Sequence, residues 1–207
     1  TFNGLLDLFG EKTANRNLVK DQLFATLDTS IRRLDFKDNK SFLISDTVGF
    51  INDLPADLLE AFKTTLETVN EADLLIQVVD LSHSEYKKMM AATEKTLQQI
   101  GAGNIPMLYA YNKADKLHLT YPLSEGGQLT YSAIDQNSLI KLVALIKNQL
   151  FGNYQQHDYL IPFQASRFLE EFNQQANILE TSYTAAGTLL KAEVSPKLAQ
   201  KFVQFQQ

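Results

Sequence analysis

The stretch that decides the fold is residues 74–112, which read LLIQVVDLSHSEYKKMMAATEKTLQQIGAGNIPMLYAYN. Two short apolar runs, residues 74–80 and 105–112, enclose an amphipathic segment. Continuous apolar runs of this length are typical of strands buried on both faces of a sheet. The segment between them ends at Gly101 and has apolar side chains at helical spacing, which are Tyr86, Met89, Met90, Leu97 and Ile100. The stretch therefore predicts a strand, a helix and a second strand.

The same alternation continues on both sides of this stretch. Residues 41–46 (SFLISD) form another short apolar run, where we predict a strand. Apolar residues recur at helical spacing over residues 54–69, with Pro55 near the start, where a missing N–H costs little. A further helical stripe covers residues 139–150. Strand–helix–strand alternation predicts an α/β fold with a mostly parallel sheet and helices on both faces.

The pattern changes after about residue 152. A strand, a helix, a hairpin and a final helix are predicted there, at residues 157–163, 165–176, 177–194 and 196–205. We therefore predict two domains. The first is an α/β domain over residues 1–152, and the second is a small α+β domain over residues 157–207.

Composition excludes several classes of protein. Cysteine is absent from the 207 residues, so disulfides, thiolate metal sites and cysteine nucleophiles are excluded. The net charge of -5 argues against extended, sequence-independent binding to nucleic-acid phosphates. No apolar run reaches the roughly 18 residues that a membrane span needs. We expect a globular, cytoplasmic protein without a membrane span.

The predicted strands end on polar residues. Asp46, Asp80 and Asn112 follow or close the three apolar runs. In sheets built from strand–helix–strand units, ligands bind beyond the carboxyl ends of the strands. These ends are therefore where we expect the chemistry of this chain.

The most informative of these ends is NKAD, residues 112–115. A carboxylate at Asp115 accepts two hydrogen bonds from N1 and N2 of guanine, a donor pair that adenine lacks. Lys113 is suited to lay its stem along the base, and Asn112 to tie neighbouring loops together. The alternative interpretation is that Asp115 only caps a helix after a strand.

A second signal is DTVGF, residues 46–50. An Asp at this point of a strand is suited to hold the water shell of Mg²⁺. Gly49 offers an unhindered N–H for a γ-phosphate and a hinge for a moving loop. A plain turn at the end of the strand is the alternative.

Two weaker signals complete the set. In YSAID, residues 131–135, the backbone N–H groups of Ser132 and Ala133 are candidates to contact the guanine carbonyl. In DQLFATLDTSIRRL, residues 21–34, Thr26 is the candidate to bring a hydroxyl to Mg²⁺ and an N–H to the γ-phosphate. Thr29 and Ser30 are the alternatives to Thr26.

Taken in order, these segments resemble the HflX family of translation-factor-related GTPases. The resemblance is carried by FNGLL near the start, DQLFATLDTSIRRL, DTVGFINDLPADLLEAFKTTLETVNEADLLIQVVD and NKAD. It covers residues 1–152, and more loosely the tail to residue 207. It implies a Ras-like P-loop GTPase domain followed by a small α+β domain.

The resemblance also implies a function and its site residues. The expected function is a GTP-binding and GTP-hydrolysing switch that uses Mg²⁺, associates with the large ribosomal subunit and acts in ribosome splitting or rescue under stress. Thr26 and Gly49 would be catalytic, and Thr26 and Asp46 would bind the metal. The residues expected to bind GTP or GDP are Phe24, Ala25, Thr26, Leu27, Asp28, Asp46, Thr47, Val48, Gly49, Asn112, Lys113, Ala114, Asp115, Ser132, Ala133 and Ile134. Phe50 stands where Ras-like enzymes carry a water-orienting Gln, so we expect slow intrinsic hydrolysis.

The sequence departs from this family in one respect. The glycine-rich loop GxxxxGK[ST] is absent from the 207 residues, and we expect the first, central strand of the sheet to be absent with it. Because that loop supplies most of the phosphate binding, we expect the chain alone to bind nucleotide weakly or not at all. We also expect unpaired strand edges, which would leave a gap, close up, or allow self-association.

Two other functions remain open at this point. One is a catalytically silent interaction module that keeps the fold without turning over GTP. The other is an ATP-using P-loop enzyme, against which Asp115 argues because it matches the donors of guanine.

Overall fold

The computed structural model describes residues 1–10, 30–36, 38, 40–46 and 69–207. The chain separates into two compact units. The first unit comprises Thr1–Arg32 and Leu43–Gln149, and the second comprises Arg33–Phe42 and Leu150–Gln207. The predicted domain boundary at residue 152 remains a prediction. The second unit also takes in a short segment that precedes that boundary by many residues.

The elements described before the tail include the three predicted strands and two of the predicted helices, together with four short elements that were not predicted. They are α1 (Phe2–Phe9), β1 (Ser30–Leu34), β2 (Phe42–Asp46), β3 (Leu75–Asp80), α2 (Tyr86–Gln99), β4 (Met107–Asn112), β5 (Leu123–Glu125), β6 (Gln128–Thr130) and α3 (Gln136–Phe151). The strand–helix–strand prediction for residues 74–112 is confirmed. The predicted helix over residues 54–69 lies almost entirely outside the described residues.

Four of these strands form one sheet in the order β3-β4-β6-β5. The pairs β3–β4 and β4–β6 are parallel, and β5–β6 is antiparallel. The predicted parallel sheet is thus present, with an antiparallel hairpin at one edge. The strand predicted at residues 41–46 is formed, but as β2 it pairs with β1 in a separate two-stranded sheet. Local sequence predicted that strand correctly, but its pairing partner depends on long-range contacts.

The side chains of β4 alternate between the two faces of the sheet. Leu108 and Ala110 are fully buried on one face. On the other face, the Tyr109 hydroxyl donates to the carboxylate of Glu94 in α2 at 2.7 Å. The ring of Tyr111 lies edge-on to Tyr86 of α2, with centroids 6.5 Å apart. Helix α2 therefore packs on the tyrosine face of β4.

Burial on β3 and α2 is less complete than the apolar runs predict. Val79 is buried, but Val78 is 49% exposed. Among the described strands, β3 pairs with β4 alone and forms an edge of its sheet. In α2, Leu97 is buried and Met89 is 39% exposed, so the predicted apolar stripe is only partly a core.

The apolar stripe of α3 forms a core as predicted. Leu139, Leu142, Val143 and Ile146 are all buried. Asp135 begins the helix, because its carboxylate accepts the Ser138 N–H at 2.7 Å. None of the helices in the described part of the chain combines the length and apolarity needed to cross a bilayer.

The second unit is an antiparallel sheet with helices. Its elements are β7 (Gln155–Pro162), α4 (Arg167–Gln175), β8 (Asn177–Thr184), β9 (Gly187–Val194) and α5 (Pro196–Lys201). The strands lie in the order β7-β9-β8, and both pairings are antiparallel. The predicted strand, helix and hairpin are confirmed. The final helix ends at Lys201, followed by a 3-10 turn at Val203–Phe205, rather than running to residue 205.

Aromatic rings fill the core of the second unit. Tyr159 and Phe172 lie with their ring centroids 4.7 Å apart, and Phe172 and Phe202 lie 4.9 Å apart. All three side chains are buried. An aromatic cluster therefore holds the sheet and helices of this unit together.

The segment ahead of β2 also belongs to this unit, where Lys40 Nζ lies 2.7 Å from the carboxylate of Glu193.

We expect Gly187→Ala to destabilise the second unit by about 2 kcal/mol or more, because two costs add. Gly187 has φ 154, a conformation that side chains disfavour, and an added Cβ would lie 2.3 Å from the Ile161 carbonyl oxygen. Urea unfolding followed by circular dichroism measures the change. Ala186→Gly is the control at the neighbouring turn position, and an unchanged midpoint in Gly187→Ala would contradict the prediction.

Candidate functional site

The polar residues at the ends of β3 and β4 lie side by side. In the parallel register of these strands, Asp80 is directly opposite Asn112. The Leu81 N–H donates to the Asn112 carbonyl at 3.1 Å and continues the pairing past the end of β3. The expectation that chemistry-bearing residues meet at one edge is therefore met for these two strands.

Asn112 ties two loops together through its side chain. Its Oδ1 accepts the Lys113 N–H at 2.8 Å and the Ala133 N–H at 2.9 Å. The Ala114 N–H donates to the Tyr131 carbonyl at 3.2 Å and adds a backbone link between the same loops. The NKAD and YSAID segments thus form one connected structure.

Asp115 lies in a short 3-10 helix, Ala114–Leu117. The N-cap residue of that helix is Lys113, so the alternative in which Asp115 serves only as a helix cap is wrong. Instead, its Oδ1 accepts the Ser132 hydroxyl at 2.6 Å. Since a carboxylate oxygen has further lone pairs, both oxygens of Asp115 keep acceptor capacity for a ligand.

Lys113 bridges the ends of the two strands. Its backbone is left-handed, with φ 65, and its Nζ lies 2.6 Å from Asp80 Oδ2. The other oxygen of Asp80 accepts the Ser82 N–H at 3.0 Å and the Ser82 hydroxyl at 2.6 Å. Burial works to raise the pKa of Asp80, but hydrogen bonds from Lys113 and Ser82 and the charge of Lys113 outweigh it and lower that pKa. Asp80 is therefore a firmly ionised partner for the lysine.

The YSAID loop differs from the predicted geometry in one respect. The Ser132 N–H donates to the Ser138 hydroxyl at 3.3 Å, and the Ala133 N–H donates to Asn112. Both N–H groups predicted to contact a guanine carbonyl are therefore engaged within the chain. The reason is that α3 and β4 bring acceptors to them that are distant in sequence. Ile134, the third predicted residue, is 86% exposed.

Tyr131 supports this loop from below. Its side chain is fully buried, and its hydroxyl shares a 2.7 Å hydrogen bond with the Thr1 hydroxyl. Burial raises the pKa of Tyr131 to about 12, although the hydrogen bond with Thr1 works in the opposite direction. The tyrosine hydroxyl therefore stays neutral, and the buried side chain supports the loop.

Asp46, the predicted metal ligand, ends β2. Burial raises the pKa of this carboxyl group. A half-buried carboxylate at the end of a strand suits a cation, and an oxygen donor suits Mg²⁺. Within residues 1–10, 30–36, 38, 40–46 and 69–207, no group of three or more His, Asp or Glu side chains converges on one point.

Several predicted site residues lie outside the described residues. They are Phe24, Ala25, Thr26, Leu27, Asp28, Thr47, Val48 and Gly49, and Phe50 lies there too. The roles predicted for them, including both proposed catalytic residues and the second metal ligand, remain predictions.

Three residues that hold the site belong to none of its sequence motifs. Asp80 and Ser82 fix Lys113, and Ser138 fixes Ser132. Asp80 was visible as a strand-ending carboxylate, and the register of two parallel strands would have placed it beside Asn112. Ser138 carried no signal, because a serine in the first turn of a helix is ordinary in sequence.

Known proteins that are similar to this chain are GTPases. A family model described as a 50S ribosome-binding GTPase matches residues 2–113. A protein named GTPase HflX from Caldanaerobacter subterraneus subsp. tengcongensis is 34% identical over 187 residues, which are 90% of this chain and 44% of that protein. The GTPase HflX of Escherichia coli is 34% identical over 177 residues, which are 83% of this chain and 42% of that protein.

A third relative matches a shorter region more strongly. The GTPase HflX of Flavobacterium psychrophilum is 48% identical over 103 residues, which are 49% of this chain and 25% of that protein. The chain spans less than half the length of each of these curated relatives. The family model nevertheless covers more than half of the chain and includes Asn112 and Lys113 of the site. The chain belongs to the HflX family of GTPases.

Proposed function

We propose that the chain is the guanine-reading part of a GTP-binding and GTP-hydrolysing switch of the HflX type. The observation that carries the proposal is the Asp115 carboxylate, which Ser132 orients at 2.6 Å within a loop pair joined by Asn112. Two acceptor oxygens on one rigid carboxylate match the N1 and N2 donors of guanine and oppose adenine.

The other groups of the loop pair complement this recognition. Lys113 offers an apolar stem for the plane of the base. In the described part of the chain the Ile134 N–H has no acceptor, so it is the donor of this loop that remains for the guanine carbonyl. We assign the carbonyl contact to Ile134, while Ser132 and Ala133 support the loop.

For hydrolysis we propose Mg²⁺ as the cofactor, with Asp46 and Thr26 as the residues that would hold it. Bound there, Mg²⁺ would neutralise charge on the phosphates. Gly49 would offer its N–H to the γ-phosphate, and Phe50, which cannot orient water by hydrogen bonding, would leave intrinsic hydrolysis slow. The protein would work in the cytoplasm.

We further propose the large ribosomal subunit as the partner, and ribosome splitting or rescue under stress as the process. The proposal is supported by the matching family model, which is that of a 50S ribosome-binding GTPase. Hydrolysis that is slow in isolation would then rise when large subunits are added, and added small subunits would leave it unchanged.

The first test is base selectivity of the 207-residue chain itself. Saturation-transfer NMR with equimolar GMP and AMP reports weak binding, and we expect a GMP preference of at least about 10-fold, because a site that pairs base donors rejects a base without them. A second protein, in which a GxxxxGK[ST] loop precedes the chain, should bind GDP about 100-fold tighter or more, since that loop supplies phosphate donors.

The outcomes separate the candidate functions. Equal saturation of GMP and AMP would contradict guanine reading and favour the catalytically silent interaction module. Preference for AMP would favour an ATP-using enzyme. If the two proteins bind GDP equally well, the dominance of the phosphate loop in affinity is wrong, while guanine reading stands.

A further inference from the structure

Asp80 is a carboxylate at the candidate site to which neither the motifs nor the comparisons give a role. It ends β3, directly opposite Asn112. One of its oxygens lies 2.6 Å from Lys113 Nζ, and the other takes both the N–H and the hydroxyl of Ser82. Ser82 therefore holds one oxygen of the carboxylate, and the other oxygen faces Lys113.

Lys113 is consequently fixed at both ends. At the backbone, its left-handed conformation is unusual for a residue with a side chain, and its N–H is bound by Asn112 Oδ1 at 2.8 Å. At the tip, the ammonium group is bound by Asp80. The four-carbon stem thus runs from the end of β4 to the end of β3, across the edge where ligands of such sheets bind.

We infer that Asp80 is a positioning residue for base recognition, which holds the Lys113 stem in place before a guanine base arrives. The inference rests on the proposed function, because that function gives Lys113 its contact with the base. A free lysine side chain loses much rotamer freedom when it is ordered, so ordering it in advance removes that cost from binding.

A structural role for the ion pair is the competing explanation, and exposure argues against it. The side chains of Lys113 and Asp80 are 40% and 36% exposed. Exposed ion pairs contribute little to folding stability. Loss of Asp80 should therefore alter the behaviour of Lys113 with little change in the unfolding temperature.

The first experiment needs no nucleotide. Side-chain NMR relaxation of the lysine ¹³Cε groups in the 207-residue chain measures how ordered Lys113 is. We expect Asp80→Asn to lower the order parameter of Lys113 to the level of an exposed lysine, and Ser82→Ala to lower it partly. Glu85→Gln is the matched control, because it removes the partner of Lys88 in an exposed ion pair and should leave Lys113 unchanged.

The second experiment links Asp80 to binding by a double-mutant cycle. We expect Asp80→Asn to weaken GMP binding ~2- to 5-fold, the upper part of the range for a lost exposed ion pair. In a Lys113→Met background the same change should have no further effect, because Asp80 acts only through the lysine. Asp80→Glu should restore part of the affinity, and Glu85→Gln should leave it unchanged.

The outcomes distinguish this inference from the proposed function. Unchanged order of Lys113 in Asp80→Asn, or an equal loss of GMP affinity in the Lys113→Met background, would overturn the positioning role while guanine reading stands. A wild-type chain that takes GMP and AMP equally would overturn the proposed function, and the positioning role with it.

Discussion

Asp115→Asn is expected to exchange the base preference of the site from guanine to xanthine. Ser132 donates its hydroxyl to Asp115 Oδ1 at 2.6 Å, so in the variant the amide oxygen takes that position and the NH₂ group takes the other. The amide then accepts from N1–H and donates to the C2 carbonyl, which xanthine has and guanine lacks. With guanine, the N2 donor would face the NH₂ donor of the amide, and no hydrogen bond would form between them.

The loss for guanine should be large. Each hydrogen bond to a charged group is worth about 1.5–3 kcal/mol, and an unpaired donor adds its own cost. We expect GDP affinity to fall by about 100-fold or more, and XDP to become the tighter ligand. Competition binding with GDP and XDP, on the chain preceded by a phosphate loop, measures both affinities.

Two further variants test whether the amide group causes this change in preference. Asp115→Ala should lose GDP without gaining XDP, because it offers no donor. Ser132→Ala in the Asp115→Asn background should weaken XDP binding, because the amide is then free to turn over. If Asp115→Asn keeps its preference for GDP, Asp115 does not read the base.

Phe202→Ala is expected to destabilise the second unit by about 3–5 kcal/mol. The ring is 1% exposed and packs edge-on to Phe172, with centroids 4.9 Å apart, and to Phe168 at 6.2 Å. Truncation removes the buried area and leaves a cavity that the sheet and helices fill only in part. Because small domains have only several kcal/mol in total, this unit should be largely unfolded at physiological temperature.

Urea unfolding followed by near-ultraviolet circular dichroism, together with amide exchange in β7 and β9, measures this loss. Phe163→Ala is the matched control, because that ring is 59% exposed and its removal should change stability by less than about 0.5 kcal/mol. Equal midpoints for the two variants would show that the aromatic cluster does not hold this unit.

Much of the fold could be predicted because its signals are local. The apolar runs of β3 and β4 and the stripe of α3 each show one period over consecutive residues, and the structure confirms all three elements. Partners were harder to predict. The strand β2 was predicted within the main sheet, but it pairs with β1, since pairing depends on residues far apart in sequence.

The residues of the candidate site were visible in the same way. Asn112 and Asp115 stand in a short motif at a strand end, because base recognition needs those groups at fixed spacing. Their contacts were not visible. The Ser132 and Ala133 N–H groups donate to Ser138 and Asn112, although the sequence predicts that they contact a ligand.

By itself, the sequence determined which side chains this protein offers, in what order, and on which kind of local element. The tertiary structure alone decided what each of them touches. The clearest case is the pair Asp80 and Lys113, which lie 33 positions apart in the chain and 2.6 Å apart in space. Only the parallel register of β3 and β4 brings them together, because a hydrogen bond depends on distance and direction in space, and neither is written in the spacing along the chain.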